Sequence, residues 1–430
     1  MQVYTKNLGY TLLRIFWVNP IIKLSLRRLV IKGKENLPKD GAVIIGCNHT
    51  SALLDPLVIL RAINSDTVFM TRADIFRKPL LKKVFNFLKM LPIFRIRDGI
   101  AAVKQNEEII AKCGDVLQHG LPLALFPEAT HRPKHSLLPL SKGIFHIAFE
   151  ANRRMGHEKP VYIVPMGLEY GRYFRYRSTV VATYGEPINV TEFVKQHENE
   201  VTPAKLLAML REELASRMSK LIAYVPDTED YDAQWELTKL CTAQCHPLSP
   251  AERLVLNQKA IKHLLEKKET EEPEKTAALY ADAMEFKKER RLRDIHPSST
   301  SHKHPLIASI GNTVALLCAL PYYLFCAITM APSWLVSYKI VSGLKDKAFS
   351  NTARLGVNLG LCGLLVIIWS IVFLCTLPTM LALLGIALLI PAMAFFYDYN
   401  TFVAHTLSDW HWTMAKHLHP RLEELLKRCK

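Results

Sequence analysis

No charged residue occurs between Pro305 and Tyr338, or between Leu355 and Tyr397. Each run exceeds the roughly 20 residues that carry a helix across the hydrocarbon of a bilayer. A water-facing helix of that length would need a polar outer face, so a membrane is the expected surroundings of residues 305–397. The second run is about twice the length one span requires, and Thr376-Leu377-Pro378-Thr379 offers a turn, because proline cannot continue the helical hydrogen-bond ladder. It is read as a hairpin of two spans, making three crossings in all. That topology would put Lys339, Lys345, Lys347 and Arg354 across the membrane from the preceding domain, against the tendency of basic loops to stay inside. Bending of the first run at Pro321 into a re-entrant hairpin would remove the conflict.

The rest of the chain is rich in charge. Lys+Arg number 55 against 39 Asp+Glu, a formal net charge of +16 with a pI near 9.4, which favours anionic partners such as acidic headgroups, phosphorylated small molecules or nucleic acid. No aromatic-basic RNA motif, zinc finger or helix-turn-helix signature accompanies that charge, so nucleic acid is not an expected partner. The 9 cysteines are odd in number and scattered, which speaks against a disulfide framework and for a reducing, cytoplasmic face. No cleavable signal peptide is evident, since Arg14, Asn19, Pro20 and Lys23 interrupt the first apolar segment.

Five regions are expected. Residues 1–32 combine Leu12, Leu13, Phe16, Trp17, Ile21 and Ile22 with Arg14, Lys23, Arg27 and Arg28, the pattern of an interfacial amphipathic helix, or of a helix pair broken at Asn19-Pro20. Residues 33–225 alternate strands (near 42–47, 67–71, 122–126, 161–168 and 179–184) with helices (near 55–63, 78–90, 100–119 and 139–154). That alternation predicts an α/β fold with a mixed, mostly parallel sheet flanked by helices. Residues 191–222 follow as helix. Residues 226–304 read as a charged helical linker or accessory subdomain, 305–397 as transmembrane or re-entrant helices, and 398–430 as a basic tail. Cys241, Cys245 and His246 are too few for a zinc site, so no metal is expected, and neither a P-loop nor Gly-x-Gly-x-x-Gly is present.

The apolar run Ala42–Cys47 ends at Asn48-His49, and Asp55 follows shortly after. Histidine can take and return a proton near neutrality, and a nearby carboxylate can orient its ring; a helix cap beside a solvated turn would give the same residues. Three more blocks follow: Leu91-Pro92-Ile93-Phe94-Arg95-Ile96-Arg97-Asp98, then Phe126-Pro127-Glu128-Ala129-Thr130-His131-Arg132, then Ile163-Val164-Pro165-Met166. Planar guanidinium groups such as Arg95 and Arg97 suit phosphate because they bond bidentately.

In order and spacing, the four blocks resemble the glycerolipid acyltransferase family, which includes glycerol-3-phosphate and lysophosphatidic acid acyltransferases. The resemblance covers residues 30 to 190 and implies that His49 is a general base and Asp55 its orienting partner, with Asn48 and Ser51 beside them. It implies that Arg95, with Arg97 next to it, binds the acceptor's phosphate together with Glu128, Arg132 and Lys142. Pro127, Thr130, Gly143 and Pro165 would line the acyl or acceptor pocket, although simple core packing explains Pro165 equally well. Expected substrates are a phosphorylated glycerol acceptor and a thioester donor, acyl-CoA or acyl carrier protein, with no other cofactor.

Two departures from the family pattern stand out. Five residues, Thr50 to Leu54, separate His49 from Asp55 where most members have four, a spacing that resembles the fungal-type glycerol-3-phosphate branch. Ala129 stands where glycine is usual, which is tolerable only if φ stays negative. A catalytically inactive membrane scaffold on the same fold is the competing expectation, and a hydrolase using His49 with Ser51 lacks the usual Gly-x-Ser-x-Gly elbow.

Overall fold

The computed structural model describes residues 3–5, 7–94, 105–156, 158–246 and 249–429. They form two compact units. The first spans residues up to 222, except for Leu24–Arg27 and Phe174–Ser178, which group with the second unit.

The first unit begins with helices α1 (Leu8–Leu13) and α2 (Asn19–Ser25), joined through a π-helical turn at Arg14–Val18. Pro20 does not separate two helices. The wider turn, closed by the Asn19 N–H on the Arg14 carbonyl, carries the helix past the donor that proline lacks. Leu8, Phe16 and Trp17 remain 74%, 68% and 53% exposed.

The helix expected within residues 1–32 stops at Ser25, and Leu26–Lys32 is strand β1. It is followed by β2 (Ala42–Cys47), α3 (Leu54–Ile63), β3 (Val68–Arg72), α4 (Pro79–Phe87), β4 (Met90–Ile93) and α5 (Asn106–Gln118). Then come β5 (Leu123–Leu125), α6 (Gly143–Met155), β6 (Val161–Tyr170), β7 (Ser178–Tyr184), β8 (Ile188–Asn189), α7 (Val190–His197) and α8 (Pro203–Ser219). The single helix read over 191–222 is therefore two. Asn189 and Thr202 cap them, each accepting a backbone N–H.

The sheet order is β1-β7-β6-β2-β5-β3-β4, with β8 also on β6. From β6 to β4 every neighbouring pair is parallel, and β7 and β8 run antiparallel to β6. All of β2 is buried, which is why it reads as an unbroken apolar run rather than an alternating one. Ile44, Leu123 and Ile163 lie in register and share a core with Ile144, Phe145, Leu210 and Leu214. Each such side chain contributes about 1.5–3 kcal/mol by leaving water. Backbones also meet closely there. A Cβ on Gly167 would lie 2.5 Å from Leu221 Cβ and 2.8 Å from the Leu221 carbonyl oxygen.

The second unit is helical: α9 (Tyr231–Ala243), α10 (Pro250–Thr270), α11 (Pro273–Leu292), α12 (Pro305–Ser342), α13 (Ser350–Val357), α14 (Gly363–Thr376), α15 (Thr379–Met414) and α16 (Leu418–Cys429). Three helical stretches are long and apolar enough to cross a membrane: Pro305–Ser342, Lys347–Thr376 and Thr379–Met414. The break between the last two falls at Leu377-Pro378. Pro321 does not interrupt α12, which continues through both Pro321 and Pro332.

Residues 398–430 are not a loose basic tail. Helix α15 runs on to Met414, and Leu418, Leu422 and Leu425 of α16 share a core with Leu237, Leu240, Leu279 and Phe286. At the start of the apolar region, His302 Nε2 lies 3.2 Å from Asp409 Oδ1 and Asn312 Nδ2 donates to Asp409 Oδ2 at 2.9 Å.

Candidate active site

Parallel strands deliver their following loops to one edge of a sheet. At this edge β2 ends in Asn48-His49, β5 in Phe126-Pro127-Glu128, β6 in Glu169-Tyr170 and β4 in Ile93-Phe94. Asn48 fixes the first of these ends. Its side-chain amide donates to the Leu168 carbonyl at 3.0 Å and accepts the Leu168 N–H at 2.7 Å, a side chain standing in for one more rung of the β2–β6 ladder.

His49 Nδ1 lies 2.7 Å from Asp55 Oδ2. The five residues between them are absorbed by a turn in which the Leu54 N–H donates to the Ser51 carbonyl at 2.8 Å and Ala52 adopts φ 27°. Asp55 sits in the first turn of α3, where the helix dipole favours a carboxylate. The same Oδ2 also accepts the Thr50 and Ser51 N–H groups, each at 2.8 Å, and Oδ1 accepts the Tyr170 hydroxyl at 2.6 Å. Three of these four donors therefore converge on Oδ2 and one on Oδ1. Asp55 is wholly enclosed, whereas the His49 side chain keeps 18% of its surface exposed. With Nδ1 on the carboxylate, Nε2 is the nitrogen left to exchange a proton with a ligand.

The ring is held on its faces as well as its edge. Phe126 stacks on it at 4.0 Å and His131 meets it edge-on at 5.5 Å. Glu128 then ties two loops together: Oε1 accepts the His49 N–H at 3.2 Å and Oε2 the Leu138 N–H at 3.1 Å. Burial pushes its carboxyl up to about 7, against the lowering effect of those two amides and of nearby His49 and Arg132. Arg132 closes the loop with its N–H on the His49 carbonyl at 3.0 Å, and its Nη2 donates to Ser136 Oγ at 2.7 Å.

The structure brings Asn48, His49, Ser51, Asp55, Pro127, Glu128 and Arg132 together. Lys142, exposed, precedes Gly143 at the start of α6. Its neighbour Ser141 reaches the site through an N–H bond to the Pro127 carbonyl at 2.7 Å. Gly143 faces Ile93, whose Cδ1 would be 3.4 Å from an added Cβ. Thr130 is exposed. Pro165 sits inside the sheet, in register with Gly46, with its carbonyl accepting the Gly185 N–H at 2.9 Å; it packs on the core. Arg95 and Arg97 lie outside the described residues. Asn106 accepts the Phe94 N–H at 3.0 Å and donates to its carbonyl at 2.9 Å.

Ala129 does not keep a negative φ. At 57° it is left-handed, the conformation glycine would take without strain. Sequence reasoning missed Tyr170, Phe126 and a second pair beside them, His135 Nδ1 at 2.9 Å from Glu169 Oε1. The signal for Tyr170 was available: it continues the alternation of Met166 and Leu168 along β6, so it falls on the face that Asn48 and Asp55 approach.

The fold and site define an α/β domain with a histidine–carboxylate dyad at the carboxyl edge of a parallel sheet. Residues 28–169 match the family model described as Acyltransferase. A 1-acyl-sn-glycerol-3-phosphate acyltransferase of Cocos nucifera is 30% identical over 165 residues, 38% of this chain and 48% of that protein. The protein of the same description from Borreliella burgdorferi is 29% identical over 133 residues, 30% of this chain and 51% of its own. The Bacillus subtilis one is 24% identical over 200 residues, 46% and 90% respectively. The chain thus spans about half the length of the first two relatives. The crystal structure of the LPA acyltransferase PlsC from Thermotoga maritima aligns with a TM-score of 0.32 and 19% identity, over 48% of this chain and 80% of that one.

Proposed function

We propose that the chain is a membrane-bound O-acyltransferase that moves a fatty acyl group from a thioester donor, acyl-CoA or acyl carrier protein, to the hydroxyl of 1-acyl-glycerol-3-phosphate. The single observation that carries this reading is His49 held by Asp55 at the strand ends, inside a segment whose relatives are described as 1-acyl-sn-glycerol-3-phosphate acyltransferases. Glycerol-3-phosphate is the second acceptor, favoured by the longer His49 to Asp55 spacing.

In this mechanism His49 Nε2 takes the acceptor's hydroxyl proton as the oxygen bonds to the thioester carbonyl carbon. The tetrahedral intermediate then breaks its C–S bond, and the thiolate leaves with the proton returned by the imidazolium. General-base assistance of this kind is worth roughly 10²–10⁴-fold. Asp55 fixes the tautomer and stabilises the imidazolium. Arg95, Arg97, Arg132 and Lys142 neutralise the acceptor phosphate, and the apolar helices keep acyl chains and product in the bilayer, with the catalytic domain on the cytoplasmic side.

The test offers membranes containing the full chain each acceptor in turn, with labelled acyl-CoA or acyl carrier protein. Incorporation into 1-acyl-glycerol-3-phosphate that drops by at least about a hundredfold in His49→Ala supports the reading. Incorporation that survives the substitution removes His49 from its role and leaves the scaffold reading.

A further inference from the structure

In the second unit the Arg175 guanidinium feels the like charges of Arg27 and Arg354 and the carboxylate of Asp398, to which Arg177 is bound. Arg177 already occupies it with two nitrogens, Nε to Oδ1 at 3.0 Å and Nη2 to Oδ2 at 2.9 Å. Its third, Nη1, donates to the Leu24 carbonyl at 2.8 Å, and its main-chain N–H to that of Ser25 at 2.9 Å. Arg354 Nη1 donates to the Phe174 carbonyl at 2.7 Å. Arg175 lies in sequence between these two anchored residues, half-buried, and makes no hydrogen bond or ion pair among the described residues. Burial first, and then the Arg27 and Arg354 cations, push its pKa down against the pull of Asp398. Arginine stays charged nonetheless. A half-buried cation with like charges beside it and a counter-ion already engaged is relieved by an incoming anion.

The location narrows the anion's source. Arg354 and Asp398 are the charges that bound the uncharged run Leu355–Tyr397, and both bond to the segment 174–177. A hairpin of two spans returns its flanks to one membrane surface, so this segment lies at headgroup depth. Leu24 and Phe174, from the same two short segments, are 40% and 38% exposed. Apolar side chains next to cations suit that layer.

We propose that Arg27, Arg175 and Arg354 form a binding site for the phosphate of an anionic phospholipid, seated where the apolar hairpin meets the membrane surface. Guanidinium forks bond phosphate oxygens bidentately, and the unneutralised charge selects anionic over zwitterionic headgroups.

The full chain in detergent micelles is titrated with short-chain phosphatidylglycerol, phosphatidylcholine or inorganic phosphate while its thermal midpoint is followed. Phosphatidylglycerol alone raises the midpoint of the wild type. In Arg175→Gln the concentration needed rises by about tenfold, the loss of one charge-assisted contact, and Arg175→Lys recovers part of it. Since Arg354 also holds Phe174, Arg27→Gln, at an exposed position, serves as the second variant and shifts the titration in the same direction. An unchanged titration in Arg175→Gln and Arg27→Gln overturns the site. Equal stabilisation by inorganic phosphate overturns the lipid as its occupant.

Discussion

Asp55 is a buried acceptor shared among four donors, and only one of them, Tyr170, is supplied by a distant side chain rather than by its own loop. Replacing Tyr170 with phenylalanine leaves Oδ1 without its partner, a cost of about 1–3 kcal/mol for a buried polar group. The expected kinetic result is a roughly tenfold lower kcat, about 1.4 kcal/mol, with KM unchanged, because orientation of the base matters only as the proton moves. Steady-state acylation by purified Tyr170→Phe checks this; a change in KM alone would assign the tyrosine to substrate binding. Ala129 offers the reverse case. Its left-handed backbone costs about 1 kcal/mol that glycine does not incur, so Ala129→Gly should raise the thermal midpoint without altering the Glu128 contacts. A lower midpoint would mean that the methyl group packs usefully. The dyad was legible in the sequence because both partners belong to one short loop. Alternation along β6 assigned Tyr170 a face but not its partner, and the pair Glu169–His135 was not legible at all, because both contacts depend on the β2–β6 register, which local spacing does not encode.

Elements were most legible where the burial pattern is regular. The all-apolar β2 is buried throughout and reads as an unbroken apolar run, and the Gly143–Met155 helix shows its one buried face by apolar periodicity. Residues 26–32 misled because an edge strand that keeps Arg27, Arg28 and Lys32 on its outside has the composition of a basic amphipathic helix. Those charges also blunt the open edge against pairing with another chain. β4 went unread because four residues, Met90 to Ile93, are too short to show alternation. Close contact between β6 and the Leu221 backbone yields a sharper expectation. Gly167→Ala forces its new methyl against the Leu221 Cβ and carbonyl, neither of which can rotate away, and should destabilise the first unit by about 1–3 kcal/mol. Denaturant unfolding measures the difference. A neutral result would show that the residues after α8 move aside at no cost.

The charged helices of the second unit bear directly on membrane topology. His302, just before α12, and Asn312, in its first turns, both bond to Asp409 near the end of α15, and α16 packs against α9 and α11. These contacts join the two ends of the apolar region, which predicts that both lie on one side of the bilayer and that the number of crossings between them is even. With two crossings from the hairpin Leu355–Tyr397, the expectation is that α12, though long enough to span, lies without a net crossing and leaves Lys339, Lys345 and Lys347 on the side of the charged subdomain. Such an arrangement would remove the conflict with the positive-inside tendency that three crossings create. Epitope tags placed after Leu344 and within α16 should be protected from, or accessible to, a membrane-impermeant reagent together. Labelling on opposite sides would restore three crossings.

The seating of α16 also imposes an order on biosynthesis. Helices α9 and α11 leave the ribosome well before Leu418, Leu422 and Leu425 exist to fill the groove between them. The nascent subdomain must wait, its oily seam unfilled, while the intervening apolar stretch is handed to the insertion machinery. Any delay in that handover exposes the seam to chaperones and proteases, so the yield of this protein should track the speed of membrane integration more closely than the stability of its sheet.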